Sequence, residues 1–200
     1  MVIEHRGAQP TVHPSAYVAP NAVLCGDVHV RAGARILFAA VLTAEDGRVE
    51  VGERTVVMEH ALVRGRRRTP AVLGDDVLVG PHAHVNGAVV EVGAFLATGA
   101  AVFPGAVVGA RGEVRIHGVV HVNSTLAPDT TVPIGWIAAG DPAQLFSPDR
   151  HDELWAVQEP LDFPGTVYGL PRDASARERM TRQSEWFGAH QADRVRTVQP

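Results

Sequence analysis

An apolar residue recurs at every sixth position over most of the first two-thirds of the chain. Val12, Val18, Leu24, Val30, Ile36 and Leu42 follow one another without a gap, and Val90, Leu96, Val102, Val108, Val114, Val120, Leu126 and Val132 form a second run. Shorter phases, Val51, Val57, Val63 and Leu73, Val79, Val85, lie between them. Four places after most of these stands a small residue, among them Ala16, Ala22, Ala34, Ala40, Ala61, Ala83, Ala94, Ala100, Gly112 and Gly118. A helix repeats at 3.6 residues and a half-buried strand at 2, so neither generates a hexad. A triangular solenoid does. Short flat strands make its three sides, each strand turns one aliphatic side chain inward, and the small residue lets the chain round the corner. Residues 1–145 are therefore predicted to form an all-β domain, a parallel β-helix.

The breaks in phase predict where the prism is interrupted. From Leu42 to Val51 the count slips by three, through Glu45-Asp46-Gly47, and from Val63 to Leu73 by four, through Gly65-Arg66-Arg67-Arg68-Thr69-Pro70. Both read as loops pushed out of successive coils, where a solenoid tends to carry function. The Arg66–Arg68 run reads as a solvated loop able to hold an anion. The solenoid is expected to end near residues 133–137, with Gly140-Asp141-Pro142-Ala143 leading the chain away. Residues 146–200 are predicted to be a helical extension. Its first helix runs from Pro148 to about Gln158, with Ser147 as N-cap and Pro148 at N1. A Pro/Gly-punctuated stretch follows over 159–171, then a charge-rich helical segment from Asp173 to about Val195, interrupted by Gly188. Trp155, Trp186 and Phe187 are expected to anchor these helices on the prism or on a neighbour.

Composition narrows the remaining classes. Two hundred residues that are 46% apolar suffice for one narrow, continuous core. A net charge of -4 with 18 basic residues carries no nucleic-acid footprint. No long apolar run or basic, apolar leader suggests a membrane or export, so a soluble, cytoplasmic protein is expected. Cys25, the single cysteine, excludes an intrachain disulfide framework and fits a reducing compartment; it reads as a small corner residue. Stacked flat coils expose broad faces and open ends, which favours self-association into a trimer of parallel prisms.

Residues 16–28, Ala-Tyr-Val-Ala-Pro-Asn-Ala-Val-Leu-Cys-Gly-Asp-Val, resemble the opening of the gamma-class carbonic anhydrases. The likeness continues through the hexads to Gly140-Asp141-Pro142-Ala143 and so covers roughly residues 10 to 145. The hexad and the exit motif are shared with hexapeptide acyltransferases; the Gly-Asp-Val start and the loop positions favour the carbonic anhydrase branch. The resemblance implies a left-handed β-helix, a homotrimer, a C-terminal helix, and a zinc held between two subunits by three histidines.

At the positions the resemblance assigns to those histidines this chain has other residues. The family's first ligand closes a Gln-Asp-x-x-Val-Ile-His stretch, which here runs from Met58 to Arg64. The other two come from Gly-His-x-x-x-x-His-Gly, which here runs from Gly80 to Gly87 and carries Pro81 and Asn86 instead. Arginine and proline do not ligate zinc, and asparagine is a poor ligand beside imidazole. The family's Arg-Gly-Asp becomes Thr43-Ala44-Glu45. No cofactor is therefore expected, with a relocated zinc on His60, His82 or His84 as the fallback. Alignment of equivalent coils sets His60 beside His82, then Gly99, then His117, and puts His84 on the same outer side as His82. Histidines with purely structural roles are the competing reading.

The same alignment stacks Thr43, Arg64, Asn86, Phe103 and His121. With Glu45, Glu59 and His82 nearby, the cleft between subunits is expected to bind a small anion, since an arginine fork beside an amide suits a carboxylate. Glu59, His84 and Glu45 are the candidates for metal-free acid/base chemistry there. The plainer reading is an intersubunit ion pair between Arg64 and Glu45 or Glu59. Three other functions fit the same residues: a structural or assembly protein whose C-terminal helices bind a partner, an acyltransferase using coenzyme A in the groove between prisms, and a zinc-dependent carbonic anhydrase with relocated histidine ligands.

Overall fold

The hexad residues stack into three columns, one for each side of a prism. Leu24, Leu42, Val63, Val85, Val102 and Val120 lie in parallel register along the first side. Val30, Val51, Leu73, Val90, Val108 and Leu126 line the second, and Val18, Ile36, Val57, Val79, Leu96, Val114 and Val132 the third. This is a left-handed parallel β-helix with a helical C-terminal part, and the computed structural model describes its residues 1–196. Most of the hexad residues are wholly buried, with the small corner residues packed between them. Each such aliphatic side chain contributes about 1.5–3 kcal/mol relative to exposure. Val12 keeps 38% of its surface exposed because it opens the first coil, at the end of the stack.

The first interruption differs from the expected loop. Val41–Val51 is one continuous strand that passes through the corner, pairing with Leu62–Gly65 by its first half and with Ala71–Leu73 by its second. The extra residues of the two coils lie flat on each other because two glycines permit it. A Cβ on Gly47 would lie 2.1 Å from the carbonyl oxygen of Arg66, and one on Gly65 would lie 2.0 Å from that of Arg48. The second interruption is the expected loop, a tight turn with reciprocal hydrogen bonds between the backbones of Arg66 and Thr69 at 3.0 and 3.1 Å.

Beyond Ile137–Ala139 the chain reverses into Gln144–Phe146, antiparallel to it. Three helices follow: α1 (His151–Gln158), α2 (Phe163–Tyr168) and α3 (Ala176–Phe187). Helix α1 starts three residues later than the proline signal suggests. Residues 147–150 form a turn closed by Arg150 N–H to Ser147 C=O at 3.0 Å, and Ser147 is not its cap. Helix α2 lies in the stretch read as irregular, capped by Asp162, whose carboxylate accepts from Gly165 N–H at 3.2 Å. Helix α3 starts in a Ser175–Glu178 capping box and stops at Phe187, giving way to a 3-10 turn over Gly188–Ala192. Leu154 is the residue of α1 that buries, against Ala139 and Phe146, whereas Trp155 stays exposed. The chain then returns to its beginning: Arg194–Arg196 pairs antiparallel with Val2–Glu4, which pairs parallel with Leu24 and Cys25. The last residues of the predicted extension, 197–200, lie outside the described residues. Among the described residues no helix is long and apolar enough to cross a membrane.

Candidate functional site on the outer face of the first side

Since Val85 points into the prism, His84 and Asn86 point out of it. The register carries this outward row from Cys25 through Thr43 and Arg64 to Asn86. It continues through Phe103 and His121, the residues that follow the paired Val102 and Val120. Thr43, Arg64, Asn86, Phe103 and His121 thus form the column expected from coil alignment. Its cover is the chain's own C-terminal segment. The Phe163 ring lies 5.7 Å from Phe103 and 5.8 Å from His121, and the Arg64 guanidinium sits 5.5 Å from the Phe187 ring.

Glu45 is the buried anion of this face. Thr43 Oγ1 donates to its Oε1 at 3.0 Å, Arg64 Nε stands 3.6 Å from the same oxygen, and His190 Nε2 lies 2.9 Å from Oε2. The ion pair foreseen between subunits therefore forms within one chain. Among the described residues, four buried polar atoms on this face have no hydrogen-bond partner: Arg64 Nε, His84 Nε2, Asn86 Oδ1 and His121 Nδ1. Burial, and then the charge of Arg64, holds His84 below the ordinary histidine range. Burial does the same to His121.

Two candidates stand elsewhere. His82 occupies an exposed corner between the third and first sides, stacked ring on ring with His60 at 5.0 Å and 2°. Its backbone is left-handed there (φ 57°), as at His60 (59°) and His117 (55°). Gly99 occupies the same corner one coil from His117, where a Cβ would meet that ring at 2.4 Å. Glu59 precedes His60 at this corner, and among the described residues its carboxylate forms no ion pair. No third metal-capable side chain joins His60 and His82; the one such cluster among the described residues is His5, Cys25, His190 and Asp193. Hexad reading placed Cys25 at a corner, but it lies on the first side beside Thr43. Its thiol is pushed up to about 12, by burial and then by Asp193. Positions so distant in the chain share no periodicity, so no spacing in the sequence brings them together.

A cavity of about 630 Å³ opens next to the column, between the Arg66–Arg68 turn and the helices, with Tyr168, Arg182 and Trp186 on its wall. The Arg66 guanidinium lies 4.5 Å from the Trp186 ring and donates to the carbonyl of Val167.

No family model matches the chain. Among curated proteins it is similar to gamma carbonic anhydrase 1, mitochondrial, of Arabidopsis thaliana, at 30% identity over 156 residues, 75% of this chain and 54% of that protein. The chain is a gamma-carbonic-anhydrase-like hexapeptide-repeat protein. It spans about half the length of the first Arabidopsis relatives it matches. The carnitine operon protein CaiE of Escherichia coli O157:H7 is 36% identical over 84 residues, 42% of this chain and 43% of that one. Among solved structures, a Bacillus cereus protein described as a putative acetyltransferase superposes with a TM-score of 0.52 at 19% identity, over 94% of this chain and 91% of that one, a likeness of fold alone. In this gamma-carbonic-anhydrase-like chain the positions equated with the zinc ligands hold a guanidinium beside Glu45, a proline ring and a buried amide. That set does not fit a zinc ion.

Proposed function

We propose that the protein binds a small carboxylate-type anion beside Arg64, as a homotrimer, in place of zinc-dependent hydration of carbon dioxide at the family's three-histidine site. The observation that carries this reading is the set of unpartnered buried atoms on Arg64, His84, Asn86 and His121. Buried polar groups are nearly always paired, and each one left alone costs about 1–3 kcal/mol. A carboxylate accepts from Arg64 Nε–H, from Nε2–H of the neutral His84 ring and, after an amide flip, from Asn86 Nδ2. Both oxygens of Glu45 are already engaged, which leaves His84 as the group free to exchange a proton with the ligand.

The trimer draws support from apolar side chains left on one flank. Tyr17 and Phe95 point outward from the third side, and Phe38, Ile116 and Ile134 sit at its corner with the first. Aligned in a flat stack, they suit a second copy of the same prism. The single cysteine fits a reducing compartment such as the cytoplasm.

Thermal denaturation with acetate, bicarbonate and coenzyme A tests the binding site, because a ligand of the native state raises its melting temperature. The carboxylates are expected to stabilise the wild type and not Arg64→Ala; absence of any carboxylate effect on the wild type sinks the reading. A second reading, acyl transfer from coenzyme A, is favoured by the arginine-lined cavity, whose guanidinium groups suit phosphates. Stabilisation by coenzyme A that survives Arg64→Ala and vanishes in Arg67→Ala/Arg68→Ala decides for it.

A further inference from the structure

The beginning and the end of the described chain meet at one cluster. His5 follows the first strand, Cys25 lies on the first side, and His190 and Asp193 follow α3. Taking one donor atom from each, all four lie within 4.8 Å of one another. Nδ1 of His5 is 2.6 Å from Oδ1 of Asp193, Nδ1 of His190 is 2.8 Å from Oδ2, and Sγ of Cys25 is 3.8 Å from Oδ2. The two imidazole rings stack at 4.4 Å, so both present Nδ1 to the same carboxylate.

Glu45 fixes the other edge of both rings. Its backbone carbonyl lies 2.9 Å from His5 Nε2, and its carboxylate lies 2.9 Å from His190 Nε2. A carbonyl only accepts, so the His5 proton belongs on Nε2, and the carboxylate holds the His190 proton likewise. Arg6 Nε–H also points at His5 Nε2, at 3.2 Å, and competes with that assignment; the Glu45 carbonyl, at 2.9 Å the shorter contact, decides where the proton sits. Both rings are left to aim a lone pair at Nδ1 into a space shared with a carboxylate and a sulfur. Either a second proton on each ring or one divalent cation satisfies that arrangement. Metal-bound histidines characteristically donate their far nitrogen to a carboxylate or carbonyl, as these two do to Glu45.

Two imidazole nitrogens, a thiolate and a carboxylate are a tetrahedral zinc set. Zinc bonds of 2.0–2.3 Å place such donors about 3.3–3.7 Å apart, so the 2.6 and 2.8 Å His–Asp contacts open by about 0.5–0.8 Å and the widest donor pairs, up to 4.8 Å apart, close by about 1 Å. We propose that His5, Cys25, His190 and Asp193 together bind one Zn²⁺ that clips the C-terminal segment to the first coil. On binding, the Cys25 S–H bond breaks, its proton leaves to solvent and the sulfur bonds the metal. Four protein ligands leave no open position for water, so the ion is structural, closing a loop between positions 188 residues apart. The site adjoins Arg64 through Glu45 but uses none of Arg64, Pro81 and Asn86 as ligands, and it does not depend on the anion-binding reading.

The test uses the full chain, stripped by a chelator and titrated with Zn²⁺ and with Co²⁺. One equivalent of either is expected to bind, with cobalt giving the strong visible bands of a tetrahedral site and a near-ultraviolet thiolate-to-cobalt band. Cys25→Ser removes the thiolate band, and His190→Ala weakens binding at least about tenfold while far-ultraviolet circular dichroism shows the coils still folded. His82→Ala leaves uptake unchanged, and zinc slows proteolysis of residues 188–196. The proposal is overturned if stoichiometric metal is not taken up, if Cys25→Ser gives the wild-type cobalt spectrum, if His82→Ala abolishes uptake while His190→Ala does not, or if zinc leaves cleavage of that segment unchanged.

Discussion

Arg64 Nε and Glu45 Oε1 lie 3.6 Å apart within a single chain. Glu45 is almost fully buried and has Thr43 and His190 as further partners, whereas Arg64 keeps 23% of its side chain in solvent. The two ends of this pair are therefore unequal. Removing Glu45 strands a cation and two donors, while removing Arg64 leaves the carboxylate still held by two groups. Arg64→Ala is expected to cost about 1–2 kcal/mol and Glu45→Ala about 3 or more. Urea denaturation of the two variants measures this; equal losses would show that the network is not centred on Glu45.

His84 and His121 give the fold a pH dependence. Both are held below their unfolded value of 6.5, chiefly by burial, so the native state keeps them neutral longer than the unfolded chain does. His84 faces the Arg64 charge and Phe103, and His121 faces Phe103 and Phe163. As pH falls below 6.5 the unfolded state takes up protons that the folded state refuses. Stability therefore drops with a slope that approaches about 1.4 kcal/mol per pH unit for each such histidine between its unfolded and folded values, and the slope fades out within about one pH unit above 6.5. Denaturant midpoints at pH 7.5 and 5.5 are expected to differ less for His84→Gln than for the wild type.

The flattened corner makes two glycines unequal in consequence. A methyl group at Gly47 meets the Arg66 carbonyl at 2.1 Å, while at Gly188 it meets nothing within 4 Å and the backbone is right-handed. Gly47→Ala is expected to cost about 1–3 kcal/mol or more, by forcing apart two backbones. Gly188→Ala is expected to be neutral or to add about 0.4–1 kcal/mol. Thermal melts of the two variants, side by side, check the difference.

If the proposed trimer forms through the exposed apolar flank, Phe95→Arg combined with Ile116→Arg places two charges on it and is expected to yield monomers with an unchanged β-helix spectrum. Sedimentation velocity reads the outcome; a variant that sediments as the wild type argues against association through this flank.

The prism was legible in the chain because each coil repeats the same demand on the same position: Leu24, Leu42, Val63 and Val85 all meet it and all bury. Equal phase also gave the lateral neighbours, so Arg64 beside Asn86 and His60 beside His82 followed by counting. Counting fails where the period stops. Nothing in the spacing tells that Phe163 and Phe187 fold back over the column, since helix docking depends on shape and not on phase. The pairing of His5 with Asp193 is invisible for the same reason. Val12 shows the opposite limit, a residue in perfect phase left partly in water for want of a coil beyond it.

Val2 lies opposite Arg196 on adjacent strands. Val2–Glu4 is thereby paired on both flanks, by Leu24 and Cys25 on one and by Arg194–Arg196 on the other, and offers no open edge for a strand of another chain to join.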